Sequence, residues 1–241
     1  MEKFFTVICC YNNEKLLNDM LVSSLNLQSF TDFETVFVDA KEKGFTSASQ
    51  SLNYACSQSN GKYLIIAHQD VSFEQNFLSD LKEFCISNEF GVAGIAGVKD
   101  DSKDVLTNLV CDKDYKPGGQ PISEITSVSS IDECLFVIKK DGFKSFDDYG
   151  DVWHFYGVEY SYRCRENGEK VLVFPFNLYH LSPGWSLNKS YWDTLKIVAK
   201  RFKEFKVIAT TMGRFKNNAF LSINIKIRRL KSAIKRKFIK R

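Results

Sequence analysis

The chain has 241 residues, enough for one large domain or one domain with an appendage, and an ordinary globular composition rich in aromatics (21 Phe, 10 Tyr). No apolar run approaches the ~18 residues a membrane-spanning helix needs; the chain enters a strand at Phe4 without a signal-peptide cleavage pattern; and seven irregularly spaced cysteines read as reduced thiols of a cytosolic protein, with no disulfide framework or zinc motif. The net charge of +4 conceals a division, because residues 205–241 hold 12 Lys/Arg and no acid, leaving 21 basic against 29 acidic residues, net −8, before them.

Phe4 to Cys10 reads as a buried first strand, with Cys9-Cys10 packing in it, ended by the polar Tyr11-Asn12-Asn13-Glu14. Leu16, Leu17, Met20, Leu21, Ser24 and Leu25 recur at helical spacing. Thr35 to Val38 is a second strand and stops at Asp39; Ser47 to Ala55 is a helix; Asn60-Gly61 is a turn or helix stop. Tyr63 to Ala67 is a third strand, apolar on both faces, followed directly by His68-Gln69-Asp70. Phe77, Leu78, Leu81 and Phe84 mark another helix and Val92 to Val98 another strand. This alternation predicts parallel strands joined by right-handed crossovers, with Asp39 and Asp70 on one sheet edge.

Lys99 to Ser123 is polar and turn-rich and reads as an exposed loop. Leu135 to Ile138 resumes a strand. An aromatic and acidic segment, Phe146 to Gly157, leads into a helix from Val158 to Asn167 that Gly168 ends, and Lys170 to Phe174 is a last strand before Tyr179-His180-Leu181-Ser182. With no GxGxxG and no Walker lysine motif, a bound nucleotide would have its phosphates met by a metal or by side chains. Asp70 at a strand's carboxyl end is well placed to hold a divalent cation there; capping of the next helix is the structural alternative.

In their order and spacing these motifs resemble the family-2 glycosyltransferases of GT-A fold, in the branch bearing His-Gln-Asp, over residues 4–185. The resemblance implies an α/β, Rossmann-like, mostly parallel sheet flanked by helices. It implies donor contacts from Tyr11, Asn12, Asp39 and Asn53, and a Gly-Lys-Tyr turn (Gly61-Lys62-Tyr63) into the strand that carries the metal-binding Asp70. It aligns Asp132 with an acceptor-side aspartate, Phe146-Asp147-Asp148 with a Phe-Asp-Glu turn, Glu159, Arg163, Arg165 and Gly168 with an acidic helix and its end, and His180, Ser182 and Gly184 with a late His-Ser-Gly. Two positions depart from the pattern. His68 replaces the first Asp of Asp-x-Asp, and Gly157 and Val158 stand near the place of the Glu-Asp pair that usually opens the acidic helix.

The chemistry that follows is sugar transfer from a nucleotide-diphosphate sugar to a saccharide or lipid-linked saccharide, inverting by resemblance, with Mn²⁺ or Mg²⁺ neutralising the leaving diphosphate. Asp70 is the metal ligand and His180 a second ligand or diphosphate donor, while His68 either ligates or hydrogen-bonds the donor. Imidazole ligands tilt the choice toward Mn²⁺. Glu159 and Asp151 are alternative general bases. Trp153, Tyr156 and Trp185 could stack on sugar rings, the acceptor side being Asp132, Trp153 and Tyr156. The setting implied is surface polysaccharide or lipooligosaccharide synthesis. A catalytically inactive nucleotide-sugar-binding protein and a sugar-phosphate nucleotidyltransferase are the alternatives.

The boundaries read as a catalytic domain over 1–190 and a basic helical extension over 191–241. Ile223, Ile227, Leu230, Ile234 and Phe238 recur at helical spacing among Lys and Arg, which reads as an amphipathic helix on an anionic membrane surface rather than a nucleic-acid-binding arm. Leu221, Ile223, Ile225 and Ile227 also alternate, which keeps a strand open there.

Overall fold

A computed structural model describes residues 2–182 and 189–239, with side chains through Leu230. β1 (Lys3–Tyr11), β2 (Phe33–Asp39) and β3 (Gly61–Ala67) form the parallel heart of a seven-stranded sheet, with β1 in the middle. Between them run α1 (residues 14–26, π-helical over Asn18–Val22) and α2 (Ala48–Ser57). Asn13 opens α1 and Ser47 opens α2, each side chain accepting an N–H of its helix's first turn.

The double-sided apolar run is explained by what covers it. Tyr63, Ile65 and Ala67 join Phe5, Val7 and Cys9 in one core with α1 and with α3 (Phe77–Ser87). Leu64 and Ile66 face the other way and join Ile8, Val38 and Leu52 of α2 in a second core. Two helical layers therefore sandwich the sheet, and each strand residue is buried on one side or the other. Cys9 is buried and Cys10 nearly so, and burial pushes both thiols up, as packing residues require.

After β3 and the short β4 (Val71–Ser72) the topology departs from simple alternation. The single strand expected over 92–98 is two, β5 (Val92–Gly94) and β6 (Ala96–Val98), because the chain leaves one sheet at Ile95 and enters another. The expected loop over 99–123 contains β7 (Val105–Cys111), which pairs with β6, and β8 (Lys116–Pro117). Its Thr107 and Leu109 point inward, a period-two signal hidden between polar flanks. β9 (Thr126–Ser127) and β10 (Ser130–Ile131) follow, and β11 (Leu135–Lys139) then inserts antiparallel between β3 and β5.

α4 (Tyr156–Glu166) ends at Gly168, whose φ of +74° suits glycine. β12 (Val171–Val173) pairs parallel to β5, and β13 (Asn177–His180) joins the second sheet between β7 and β4. Within 191–241, α5 (Lys189–Arg201), the hairpin β14 (Val207–Thr210) and β15 (Gly213–Lys216), and α6 (Leu221–Ile239) follow. The segment is bound tightly to the rest: Tyr191, Trp192, Leu195, Phe202, Ile208, Phe215, Leu221 and Ile225 share a third core with Phe155, Val158 and Tyr162. Ala209 N–H donates to Tyr162 Oη at 2.8 Å, and Ser130 Oγ donates to the Ala209 carbonyl at 2.6 Å.

Gly61 marks the closest approach of β3 to β1. A Cβ there would stand 2.3 Å from Thr6 N and 2.5 Å from Phe5 C, atoms of main chain that cannot swing aside. Gly61→Ala is expected to destabilise the fold by roughly 2 kcal/mol or more, read as a lowered midpoint in chemical denaturation; an unchanged midpoint would show that the two strands have slack.

Candidate functional site

The carboxyl ends of β1 and β3, the turn before β11, the start of α4, the end of β13 and the β14–β15 turn enclose a cleft of about 510 Å³. Of the residues expected at a site, Asn12, His68, Asp70, Asp132, Trp153, Tyr156 and His180 line it.

The central triplet is held from three sides. His68 N–H donates to the Cys134 carbonyl at 2.9 Å, fastening the strand end to β11. Gln69 Oε1 accepts the N–H groups of Asn12 and Asn13 at 3.1 and 3.0 Å, and its Nε2 donates to Asn12 Oδ1 at 2.9 Å, tying β3 to the end of β1. Leu181 N–H donates to the Asp70 carbonyl at 2.9 Å, and β13 lies antiparallel to β4 with His180 opposite Val71. Two sheets thereby deliver His68, Asp70 and His180 to one point.

His68 Nδ1 lies 4.0 Å and His180 Nε2 3.3 Å from Asp70 Oδ1, and the three potential ligand atoms lie within 4.8 Å of one another. His180 Nε2 is buried and not aligned for a hydrogen bond to that oxygen, so among the described residues it has no hydrogen-bond partner. An orphaned buried nitrogen facing a carboxylate and a second imidazole is a donor set that fits a divalent cation.

The charges describe an ion pair whose His180 proton a cation would displace on binding. Burial opposes the charge of Asp70, but His180 and His68 outweigh it and hold the carboxyl below its usual range. Burial would lower His180, but Asp70 and Cys111 raise it to about 9. Burial and then His180 lower His68 to about 4, leaving a neutral ring at pH 7. Tyr156 Oη lies 3.1 Å from His68 Nε2 and 3.4 Å from the Glu133 carbonyl. A hydroxyl that donates to the carbonyl accepts from Nε2–H, which leaves the Nδ1 lone pair toward Asp70.

Asp132 is clamped: Oδ1 accepts Cys134 N–H at 2.9 Å and Oδ2 accepts the Thr211 hydroxyl. Burial opposes its charge, but these bonds hold it ionised below the usual carboxylate range. Glu133, next to it in the same cleft, is the reverse. Burial and then the Asp132 charge push Glu133 up to about 8, against the pull of the Gly157, Phe155 and Val158 N–H groups.

Several expected residues lie elsewhere. Tyr11 and Asp39 sit in register at the edge of β1 and β2, outside the lining, with Asp39 Oδ1 accepting the N–H groups of Lys41 and Glu42. The Asn53 amide is committed to Phe146, accepting its N–H at 2.8 Å and donating to its carbonyl at 2.9 Å. Asp151 does not line the cleft, and its carbonyl accepts from Ser190. Glu159 is fully buried off the cleft, its Oε2 accepting from Arg163 Nη2 at 2.9 Å. Burial raises it to about 7 despite Arg163. Its place near the start of α4 leaves Glu159 one residue past Val158, which lines the cleft. Arg165 pairs with Asp100 at 2.7 Å and lies over Tyr162 and Phe205, a structural role. Gly184 and Trp185 lie outside the described residues.

The sequence reading missed Glu133, His154, Tyr191, Thr210, Thr211 and Met212, all of which line the cleft. A signal existed for Glu133, a second carboxylate beside Asp132. None existed for the hairpin residues, which reach the site only through the third core.

A family model described as "Glycosyltransferase like family" matches residues 6–207. No curated protein sequence matches the chain. Among solved structures, the chain resembles S. aureus TarS (residues 1–349) in complex with UDP-GlcNAc, with a TM-score of 0.56 at 14% identity over 82% of this chain and 66% of that one. It also resembles GalNAc-T7 with UDP, GalNAc and Mn²⁺, with a TM-score of 0.57 at 12% identity over 82% of this chain and 48% of that one. The chain thus spans about two thirds of the first neighbour and half of the second, and the likeness establishes a shared α/β fold of GT-A type.

Tyr156→Phe removes the hydroxyl that fixes the His68 ring. It is expected to weaken Mn²⁺ binding about 10-fold in a calorimetric titration without loss of the fold; wild-type affinity would show that His68 needs no such support.

Proposed function

Because the chain belongs to the glycosyltransferase-like family over residues 6–207, we propose that it moves a hexosyl group from a nucleotide-diphosphate sugar to a saccharide or lipid-linked saccharide, with inversion at the anomeric carbon. The observation that carries this reading is the convergence of His68, Asp70 and His180 at the carboxyl end of β3, inside the cleft. That edge is where open α/β sheets bind ligands.

Asp70 and the two imidazoles would hold Mn²⁺ or Mg²⁺. Two nitrogen ligands and one carboxylate favour Mn²⁺, the softer of the two. A bound cation would supply Lewis-acid neutralisation of the leaving diphosphate. Asn12, fixed by Gln69, with Tyr11 and Asp39 beside it on the sheet edge, would hold the nucleoside. Asn53, committed to Phe146, would position that region without touching the donor. On the opposite wall Asp132, Trp153 and Tyr156 would receive the acceptor; Trp153 is 42% exposed, which gives a ring face open for stacking. Glu159 and Asp151, off the cleft, are assigned no part in proton transfer.

Helix α6 supports a peripheral position on the inner face of a membrane. Leu221 and Ile225 are buried against the body, while Phe220, Ile223, Ile227 and Leu230 are exposed beside Lys226 and Arg229. An exposed apolar stripe flanked by cations suits an anionic lipid surface, and such attachment would bring the cleft to lipid-linked acceptors of surface polysaccharide assembly. Among the described residues no helix is long and apolar enough to cross a membrane.

Asp70→Ala should abolish Mn²⁺-dependent binding of a nucleotide sugar, measured by thermal shift across a donor panel; undiminished affinity would sink the metal-site assignment. Wild-type binding with no turnover on any acceptor pool would favour the inactive-binder alternative. Ile223→Asp combined with Ile227→Asp should reduce sedimentation with phosphatidylglycerol vesicles while leaving donor binding intact, and equal sedimentation would remove α6 as the anchor.

A further inference from the structure

The turn Asp132-Glu133 places two carboxylates side by side in the cleft, and their environments are opposite. Both oxygens of Asp132 are engaged, one by Cys134 N–H and one by Thr211. Glu133 Oε1 is buried and has no hydrogen-bond partner among the described residues. The rest of the Glu133 carboxylate faces the start of α4, where the backbone N–H groups of Phe155, Gly157 and Val158 lie against it.

That start is specially shaped. Phe155, a buried non-glycine residue, has a φ of +74°, a left-handed conformation that such residues adopt at a cost of about 1–3 kcal/mol. The turn aims the N–H groups of the first turn of α4 at the carboxylate. Gly157 then leaves the space the side chain needs, since a Cβ at 157 would lie 3.0 Å from Glu133 Cγ. Glutamate from the turn before β11 therefore occupies the space beside the first turn of α4.

We infer that Glu133 is the general base of this enzyme, taking the proton of the acceptor hydroxyl on its carboxylate. This rests on the glycosyl-transfer reading. In the step, the acceptor O–H proton passes to the Glu133 carboxylate and the acceptor oxygen forms the new bond to the anomeric carbon. The bond from that carbon to the diphosphate oxygen breaks, and its electron pair leaves with the nucleoside diphosphate. Charge is conserved: the carboxylate becomes a carboxylic acid, and the diphosphate carries the negative charge away.

The neighbourhood suits a base that must both hold and release a proton near neutrality. The groups facing Glu133 are Asp132 on its own turn, Tyr156 from α4 and Tyr191 from α5, both tyrosines themselves raised and neutral at pH 7. Two adjacent carboxylates held apart in acidity divide the work. Asp132 stays ionised and positions, while Glu133, raised to about 8, exchanges the proton. Tyr156 reaches from His68 Nε2 to the Glu133 carbonyl, so the base and the donor-side cluster share one rigid contact.

The test uses the full chain with Mn²⁺, a nucleotide sugar that it binds, and an acceptor that it glycosylates. Glu133→Gln is expected to lower the rate of transfer at saturating donor by at least ~100-fold, while the donor Kd from calorimetry stays within ~3-fold. In the unaltered protein kcat/KM should rise with pH as Glu133 deprotonates, and that limb should vanish from the residual rate of the Gln variant. Glu133→Asp, with a carboxylate one methylene shorter, should keep donor affinity and the limb at a reduced rate, and it carries the test if the Gln variant does not fold. Near-normal transfer by Glu133→Gln, or a full rate in Glu133→Asp, overturns the assignment. So does loss of donor affinity in a folded variant, which would make Glu133 a donor contact. Failure of the unaltered protein to bind any nucleotide sugar would instead take down the glycosyl-transfer reading, and the inference with it.

Discussion

The antiparallel pairing of β13 with β4 is the contact on which the site depends. β4 is two residues long and continues directly from the Asp70 turn, so it lies at the margin of the first sheet's active edge. By pairing Tyr179 with Ser72 and His180 with Val71, it draws a strand of the second sheet across that edge. Without that register His180 would not face Asp70, and the first sheet alone would present one carboxylate and one imidazole, a poor cation site. A one-residue slip would turn His180 to the opposite face. The bond from Leu181 N–H to the Asp70 carbonyl and the parallel partnership of β13 with β7 oppose such a slip.

Around that point the protein separates positive and negative tasks by burial and by partner supply. Two kinds of polar group meet in the cleft, those held by several partners and those buried without one among the described residues. Gln69, Asp132 and Tyr156 belong to the first kind and fix geometry; His180 Nε2 and Glu133 Oε1 belong to the second, on residues that line the cleft. In a folded protein nearly every buried polar atom is paired, so atoms left over in one cavity point to what the cavity is for.

The sequence was most legible where local pattern and tertiary environment agree. The double-faced apolar run of β3, the stop at Asp39 and the late His180 could be read because each is a property of a few adjacent residues. β7 was hidden because Asp100, Asp101 and Asp104 before it, and Asp112 to Lys116 after it, dilute its alternation below what a window registers. β11 was seen as a strand but not as an antiparallel insertion, since direction is decided by partners remote in sequence. Glu159 was expected at the cleft and lies off it for a related reason. Helix periodicity puts Glu159 near the right turn but cannot tell which side of α4 meets the cleft, and Arg163 holds Glu159 on the other side. The vacancy that Gly157 leaves is visible only in three dimensions, where Glu133 fills it.

The β14–β15 turn has a consequence for how this enzyme can diversify. Thr210, Thr211 and Met212 form one wall of the cleft, and they belong to a hairpin that packs on α4, α5 and α6 and touches β6 and β10. The proposed cation and nucleoside positions lie on β1, β3 and β13, covalently distant from that wall. Substitutions at Met212 can therefore recontour the space beside Asp132, whereas Thr211 must keep the hydroxyl that clamps Asp132. A library confined to Met212 would vary that wall while leaving the Asp132 clamp in place.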